Sequence, residues 1–202
     1  MILFINACVR KQSRTLELAR YLLKRLDGDI REVRLIDITF PVADEAFIVR
    51  REELKNAGQY DDPMFDLARD FAKADTIVIA APLWDLSFPA ALKQYFEQIN
   101  VLGLTFRYSE DGTPSGLCQA KSLFYVTTAG GTVLSDDYGY GYVKAMSETF
   151  YGIKDIHMIK TEGLDIIGAD TERIMKAAYE EIDSLFSELD TVKQKDGNGK
   201  GR

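Results

Sequence analysis

Three short segments of the sequence combine residue types that could bind an anionic, aromatic ligand. The first segment, NACVRKQSRT over residues 6–15, brings Arg10, Lys11 and Arg14 together with Ser13 and Thr15. Such a loop before a helix is a natural phosphate site, because the first N–H groups of a helix are free and its dipole is positive there. A solvated loop in which Ser13 only caps the helix fits the segment equally well.

The second and third segments add an aromatic ring and a pair of glycines. Residues 82–89 read PLWDLSFP and hold the only tryptophan, Trp84. Its ring could lie on a planar ligand or pack on its own helix. Residues 127–131 read TTAGG. Paired glycines let the backbone approach a ligand closely, although they also occur in ordinary turns.

The sequence lacks the motifs that mark several other kinds of binding or catalytic site. The sequence contains no GxGxxG and no GxxxxGK[ST], which disfavours a Rossmann dinucleotide site and excludes a P-loop. Cys8 and Cys118 are far apart and belong to no Cys/His cluster, so no metal site is predicted. The single histidine, His157, lies in a strand pattern and is interpreted as a packed residue.

Composition narrows the class of protein. The chain has 202 residues, 25 Lys and Arg against 32 Asp and Glu, and a net charge of −7. This acidic balance disfavours nucleic acid or anionic membranes as partners. The absence of a long apolar run and of a signal-like start predicts a cytoplasmic protein. We expect a single domain over residues 1–190 and a polar, disordered tail over residues 191–202.

Strand and helix patterns alternate along the chain. Strands are predicted at Ile2–Ala7, Glu32–Ile38, Asp75–Ala81, Lys121–Thr128 and Asp155–Thr161. Helices are predicted at Ser13–Leu26, Glu45–Asn56, Pro63–Ala74, Pro89–Leu102, Tyr142–Tyr151 and Thr171–Leu189. This alternation predicts an α/β fold, a three-layer αβα sandwich around a five-stranded parallel sheet of flavodoxin-like order 2-1-3-4-5. The three candidate segments then share the edge formed by the carboxyl ends of the strands, where such sheets bind ligands.

Longer stretches resemble a known enzyme family. The segment AAPLWDLSFPAALKQYF over residues 80–96, followed by GLTFRYSEDG over residues 103–112, is similar to the FMN-dependent NADH-azoreductases. These belong to the flavodoxin-like NAD(P)H:quinone oxidoreductases. VTTAGG over residues 126–131 also matches the family. The resemblance extends over residues 1 to about 190, and TFRY is its most specific part.

The resemblance implies a set of FMN-binding and substrate-binding residues. Its FMN phosphate would lie beside Cys8, Ser13, Arg14 and Thr15. The isoalloxazine ring would touch residues of two further loops, namely Leu83, Trp84, Asp85, Leu86, Thr128, Ala129, Gly130 and Gly131. Tyr108 matches an aromatic residue at the substrate face, and Phe150 or Tyr151 matches one that reaches the pocket from a partner subunit.

Three residues depart from the family pattern, namely Cys8, Asp85 and Ala129, the last of which stands where an arginine or another polar residue can occur. Cys8 stands where a serine is usual and is a weaker hydrogen-bond donor. Asp85 replaces an asparagine, and a carboxylate facing the flavin would disfavour its anionic reduced form. We therefore expect the Asp85 side chain to point away from the ring and only its backbone N–H to contribute.

The function implied is reduction of a small acceptor by NADH or NADPH through FMN. In such enzymes hydride passes to the flavin and then, in a second step, to a quinone, azo or nitro aromatic compound, so no protein residue is predicted to be catalytic. A homodimer is also implied. Two alternatives remain open, a flavodoxin-type electron carrier without a nicotinamide site and a flavin-less interaction module with the same fold.

Overall fold

The computed structural model describes residues 1–198, with only the course of the helix described for 192–198. Its main sheet contains β1 (Ile2–Asn6), β2 (Ile30–Arg34), β3 (Thr76–Ala80), β6 (Ser122–Thr128) and β7 (Asp155–Thr161). These strands are all parallel and lie in the order β2-β1-β3-β6-β7. This is the predicted order 2-1-3-4-5 when only the strands of this sheet are counted.

Helices cover both faces of the sheet. They are α1 (Arg14–Leu23), α2 (Glu45–Asn56), α3 (Asp66–Lys73), α4 (Ala90–Ile99), α5 (Tyr142–Met146) and α6 (Thr171–Asn198). On one face, Leu3 and Ile5 of β1 pack in a core with α3 and α4. On the other face, Ile2 and Phe4 pack with α1 and α6. The near-continuous apolar run of β1 is therefore explained by burial on both sides.

Three elements differ from the sequence-based predictions by four residues or more at one end. The second strand spans Ile30–Arg34 instead of Glu32–Ile38, because Leu35–Asp37 form a 3-10 turn that leaves the sheet while still burying Leu35. Only Tyr142–Met146 of the predicted helix is α-helical, and wider π-helical turns flank it. The last helix passes Leu189 and continues to Asn198, so the predicted tail is helical over 191–198, while residues 199–202 lie outside the described residues.

One element was not predicted at all. β4 (Phe106–Tyr108) and β5 (Pro114–Gly116) form a two-stranded antiparallel hairpin, and it contains most of the TFRY segment. Gly116 of this hairpin lies directly against the backbone of Tyr151, where a Cβ atom would be 2.1 Å from the Tyr151 carbonyl carbon. The close approach of two backbones is the physical reason for glycine here. Among the described residues, no helix has the length and apolarity needed to cross a membrane.

Candidate functional site

The predicted loops meet in one cleft at the carboxyl ends of β1, β3 and β6. The cleft has a volume of about 230 Å³. Its lining is Val9, Arg10, Gln12, Ser13, Arg14, Thr15, Pro82, Leu83, Trp84, Thr128, Ala129, Gly130, Leu164 and Asp165. Eight of the twelve residues proposed from sequence to hold a flavin are therefore brought together there.

The N-terminus of α1 forms one end of the cleft, which we call the anion end and define as Ser13, Arg14, Thr15, Leu164 and Asp165. Ser13 is the N-cap of α1, and its hydroxyl accepts a hydrogen bond of 3.3 Å from the Leu16 N–H. The N–H groups of Arg14 and Thr15 belong to the first helical turn, where no intrahelical acceptor exists. The free donors and the positive helix dipole suit an anion.

Arg14 connects this helix to the loop after β7. Its guanidinium donates to the Leu164 carbonyl at 2.8 Å and to the Asp165 carboxylate at 2.5 Å. Asp165 in turn lies against Gly130, where a Cβ atom would be 2.4 Å from the Asp165 Oδ2. The Gly130 carbonyl also accepts from the Asp165 N–H at 2.8 Å. Glycine at position 130 thus allows three loops to close around one end of the cleft.

A buried hydroxyl pair supports the floor of the anion end. The Oγ1 atoms of Thr15 and Thr128 are 2.6 Å apart, and both side chains are buried. Thr128 ends β6, and its carbonyl accepts a 3.0 Å hydrogen bond from the Leu83 N–H. The contact therefore links α1, β6 and the loop after β3 at one point.

The other end of the cleft, which we call the aromatic end, is formed by Leu83 and Trp84, where a turn over residues 84–87 begins. Trp84 and Ser87 exchange two backbone hydrogen bonds of 2.9 and 2.8 Å, which makes a two-residue hairpin turn. Both central residues have positive φ, 50° at Asp85 and 68° at Leu86, as a type I′ turn requires. Such a conformation costs a branched residue like Leu86 about 1–2 kcal/mol. The turn leaves the Trp84 side chain 41% exposed beside the cleft.

Four of the proposed flavin-binding residues do not line the cleft. The Cys8 side chain is buried, with its Sγ atom 3.8 Å from the Ala80 carbonyl, and burial raises the pKa of its thiol. Asp85 and Leu86 border a neighbouring surface hollow instead. Gly131 follows Gly130 but does not line the cleft. No neighbouring atom lies within 4 Å of the position that a Cβ would take there.

The proposed substrate-binding aromatics have different environments. Tyr108 lies on the β4–β5 hairpin and is 51% exposed. Phe150 is half-buried, and its ring centroid is 5.0 Å from that of Phe106. Tyr151 is fully buried in the core, edge-on to Phe71 at 4.7 Å. In this arrangement the Tyr151 ring has no access to another subunit, which leaves Phe150 as the accessible member of the pair.

Sequence reasoning missed the contribution of the loop after β7. Leu164 and Asp165 both line the cleft and both bind Arg14. The available signal was topological, because this loop follows a strand whose carboxyl end lies at the same sheet edge as the other three. Arg10 and Gln12 also line the cleft, within the segment already identified.

Comparison with known proteins places the chain in a family. A family model described as a flavodoxin-like fold matches residues 1–186. The FMN-dependent NADH:quinone oxidoreductase of Coprothermobacter proteolyticus is 31% identical, over 93% of this chain and 98% of that protein. The protein of the same name from Lachnoclostridium phytofermentans is 34% identical, again over 93% and 98%.

Two solved structures of azoreductases are also similar to this chain. An FMN-dependent NADH-azoreductase from Bacillus anthracis, solved in complex with FMN, superimposes with a TM-score of 0.76 at 25% identity, over 93% of this chain and 98% of that one. Another azoreductase structure from Bacillus anthracis gives a TM-score of 0.80 at 23% identity, with 93% and 98% coverage, and so supports the fold alone. The family match and the two relatives together establish that this chain belongs to the flavodoxin-like fold family.

Proposed function

We propose that this protein is an FMN-dependent NADH:quinone oxidoreductase that binds its flavin in the cleft described above. The observation that carries the proposal is the convergence of an anion-binding helix N-terminus and an exposed tryptophan on one cleft at the sheet edge. The names of the relatives favour the same reaction.

The residues of the cleft fit the parts of FMN. At the anion end, Ser13, the first-turn N–H groups and the Arg14 guanidinium are donors for a phosphate. At the aromatic end, Leu83 and Trp84 offer apolar and aromatic surface for the ring. The 230 Å³ of the cleft is below the roughly 300–1,000 Å³ of typical enclosed ligand sites. Part of the flavin would therefore lie outside it, accessible to a second molecule.

FMN when bound supplies the hydride chemistry, and the chain supplies position and electrostatics. We propose that NADH and then the acceptor, a quinone or an azo or nitro aromatic compound, use the same open side of the site in turn. Tyr108 and Phe150 are proposed to border this side. We propose that the four residues that do not line the cleft neighbour the flavin only through backbone atoms or indirect contacts. They are Cys8, Asp85, Leu86 and Gly131.

A homodimer is also proposed. The hollow next to the aromatic end has a volume of about 620 Å³ and is mostly apolar. It is bordered by Leu86 and Tyr138, which are 49% and 60% exposed. Apolar surface of this kind favours contact with a second copy. Analytical ultracentrifugation should show a dimer. A fully active monomer would contradict the proposal that a partner subunit contributes an aromatic residue to the pocket.

Titration and turnover together test the proposed reaction. Because Trp84 is the only tryptophan, quenching of its emission by added FMN reports binding at the aromatic end. The FMN-loaded protein should then oxidise NADH with menadione as acceptor, with parallel lines in double-reciprocal plots. Bound FMN without NADH turnover would instead support a flavodoxin-type electron carrier. Absence of FMN binding would favour a flavin-less interaction module.

A further inference from the structure

The N-terminus of α1 separates the cleft from a second, larger space. This space is a groove of about 690 Å³ that runs along the outside of α1, with Tyr179 of α6 on its opposite side. Gln12, Ser13 and Arg14 line both the groove and the cleft. A phosphate held at the N-terminus of α1 would therefore have the cleft on one side and the groove on the other.

The Arg14 side chain crosses the end of the groove that faces the cleft. Its guanidinium donates to the Leu164 carbonyl at 2.8 Å and to the Asp165 carboxylate at 2.5 Å. Both acceptors lie in the loop between β7 and α6, and α6 forms the other side of the groove. We call this contact of Arg14 with Leu164 and Asp165 the bridge. It joins the two sides of the groove at the point where the groove meets the anion end.

The loop that receives the bridge is itself fixed to the loop after β6. The Gly163 N–H donates to the Gly131 carbonyl at 3.0 Å, and the Asp165 N–H donates to the Gly130 carbonyl at 2.8 Å. The Asp165 Oδ2 atom lies so close to Gly130 that a Cβ there would be 2.4 Å from it. Asp165 is thus held in one position, and a fixed acceptor keeps the Arg14 side chain across the groove.

The bridge leaves donors for a single phosphate. The N–H groups of Arg14 and Thr15 belong to the first turn of α1 and have no intrahelical acceptor. The guanidinium also has further N–H donors beyond the two that the bridge uses. A phosphate at the anion end can therefore be bound while the bridge stays closed.

From this arrangement we infer that the bridge is a specificity determinant that admits FMN and excludes FAD. The inference rests on the proposed function and deepens it, because it concerns the phosphate at the anion end. FMN ends at that phosphate and needs no space beyond it. FAD continues from the same phosphate into a second phosphate and an adenosine. The 230 Å³ cleft has no room for these groups, and the bridge blocks their way into the groove.

The test compares FMN and FAD affinities of the whole chain stripped of flavin. The two flavins carry the same ring, so quenching of Trp84 emission reports the binding of either one. The wild type should bind FMN at least tenfold more tightly than FAD. Arg14→Ala should lower this FMN preference at least fivefold, because loss of the phosphate contact weakens both flavins while the opened bridge helps FAD alone. Asp165→Ala should lower it at least threefold, because Arg14 then keeps only the Leu164 carbonyl.

Two further variants serve as controls. Asp165→Asn removes the charge but keeps an oxygen that can accept from Arg14, so the FMN preference should stay within twofold of the wild type. Asp37→Ala is the matched control, because Asp37 is similarly exposed, pairs with Arg34 and does not line the cleft. It should leave the preference unchanged.

The possible results separate the two proposals. A wild-type preference below tenfold, or a preference within twofold of the wild type in Arg14→Ala, would overturn the role of the bridge and leave the FMN site standing. Equal losses for both flavins in Asp165→Ala would show a merely structural role for Asp165. A fall in Asp165→Asn as large as in Asp165→Ala would mean that charge repulsion, and not the bridge, excludes FAD. Failure of the wild type to bind either flavin would overturn both proposals.

Discussion

The two ends of the cleft are built in different ways. At the anion end, hydrogen bonds join residues about 150 positions apart, from Arg14 to Leu164 and Asp165, and the Thr15–Thr128 pair beneath them is buried. At the aromatic end, Trp84 is 41% exposed, and the turn that begins there has unfavourable positive φ angles at Asp85 and Leu86.

This difference predicts a separate role for each end of the cleft. A site whose donors are already ordered loses little entropy when it binds a phosphate, so the anion end should carry most of the affinity. Exposed apolar surface is covered only when a ligand or a second copy arrives. The aromatic end should therefore govern what stacks on the flavin and contribute less to holding it.

Removing the Arg14 guanidinium should give the largest effect. We expect Arg14→Ala to lower FMN affinity by about ten- to hundredfold, since charged hydrogen bonds contribute about 1.5–3 kcal/mol. Fluorescence titration measures this. Arg50→Ala is the control, because Arg50 makes only an exposed ion pair with Asp62. An affinity within twofold of the wild type would show that the anion end does not dominate binding.

The buried hydroxyl pair gives the next largest effect. Thr15→Val should lower the free energy of unfolding by about 1–3 kcal/mol, because the Thr128 hydroxyl is left buried without its partner. The double variant Thr15→Val/Thr128→Val should recover much of that loss, since no unpaired hydroxyl remains. Urea denaturation of the apo-protein measures both. Additive losses in the double variant would mean that the contact is not the source of the stability.

The aromatic end should respond more weakly. Trp84→Ala is expected to weaken FMN binding by about fivefold, corresponding to roughly 1 kcal/mol of aromatic contact. Trp84→Phe should retain most of the affinity. Flavin fluorescence is the readout, because both variants lack tryptophan emission. A loss for Trp84→Ala as large as that for Arg14→Ala would remove the distinction between the two ends.

The smallest effect concerns backbone strain in the turn. Leu86→Gly should raise the free energy of unfolding by about 0.5–1 kcal/mol, because relief of the positive φ outweighs the added freedom of glycine in the unfolded chain. Leu134→Gly serves as control, since Leu134 is 83% exposed and has no positive φ. It should destabilise the protein by a similar amount. Equal losses in both variants would argue against strain in the turn.

Much of the fold could be predicted because its signals are local. The apolar runs of β1 and β3, the cap at Ser13 and the helix at Glu45–Asn56 each depend on neighbours a few residues away. The parallel order then follows from strand–helix alternation, and this order alone brings the three candidate loops to one edge.

The finer features of the site depended on contacts that local spacing does not encode. Cys8 lies in the predicted segment, yet its thiol packs against Ala80 of a neighbouring strand instead of entering the cleft. Asp165 closes the anion end through Arg14 and Gly130, residues far from it in sequence. Tyr151 is removed from the proposed pocket by core packing against Phe71.

The sequence by itself determined the layers, the strand order and the edge at which a ligand would bind, because hydrophobic periodicity and capping act over one or two helical turns. Only the tertiary structure decided which side chains face the cleft and which, like those of Cys8 and Tyr151, are buried away from it. Those outcomes depend on how loops separated by a hundred residues or more pack together, and that packing is set by the whole core.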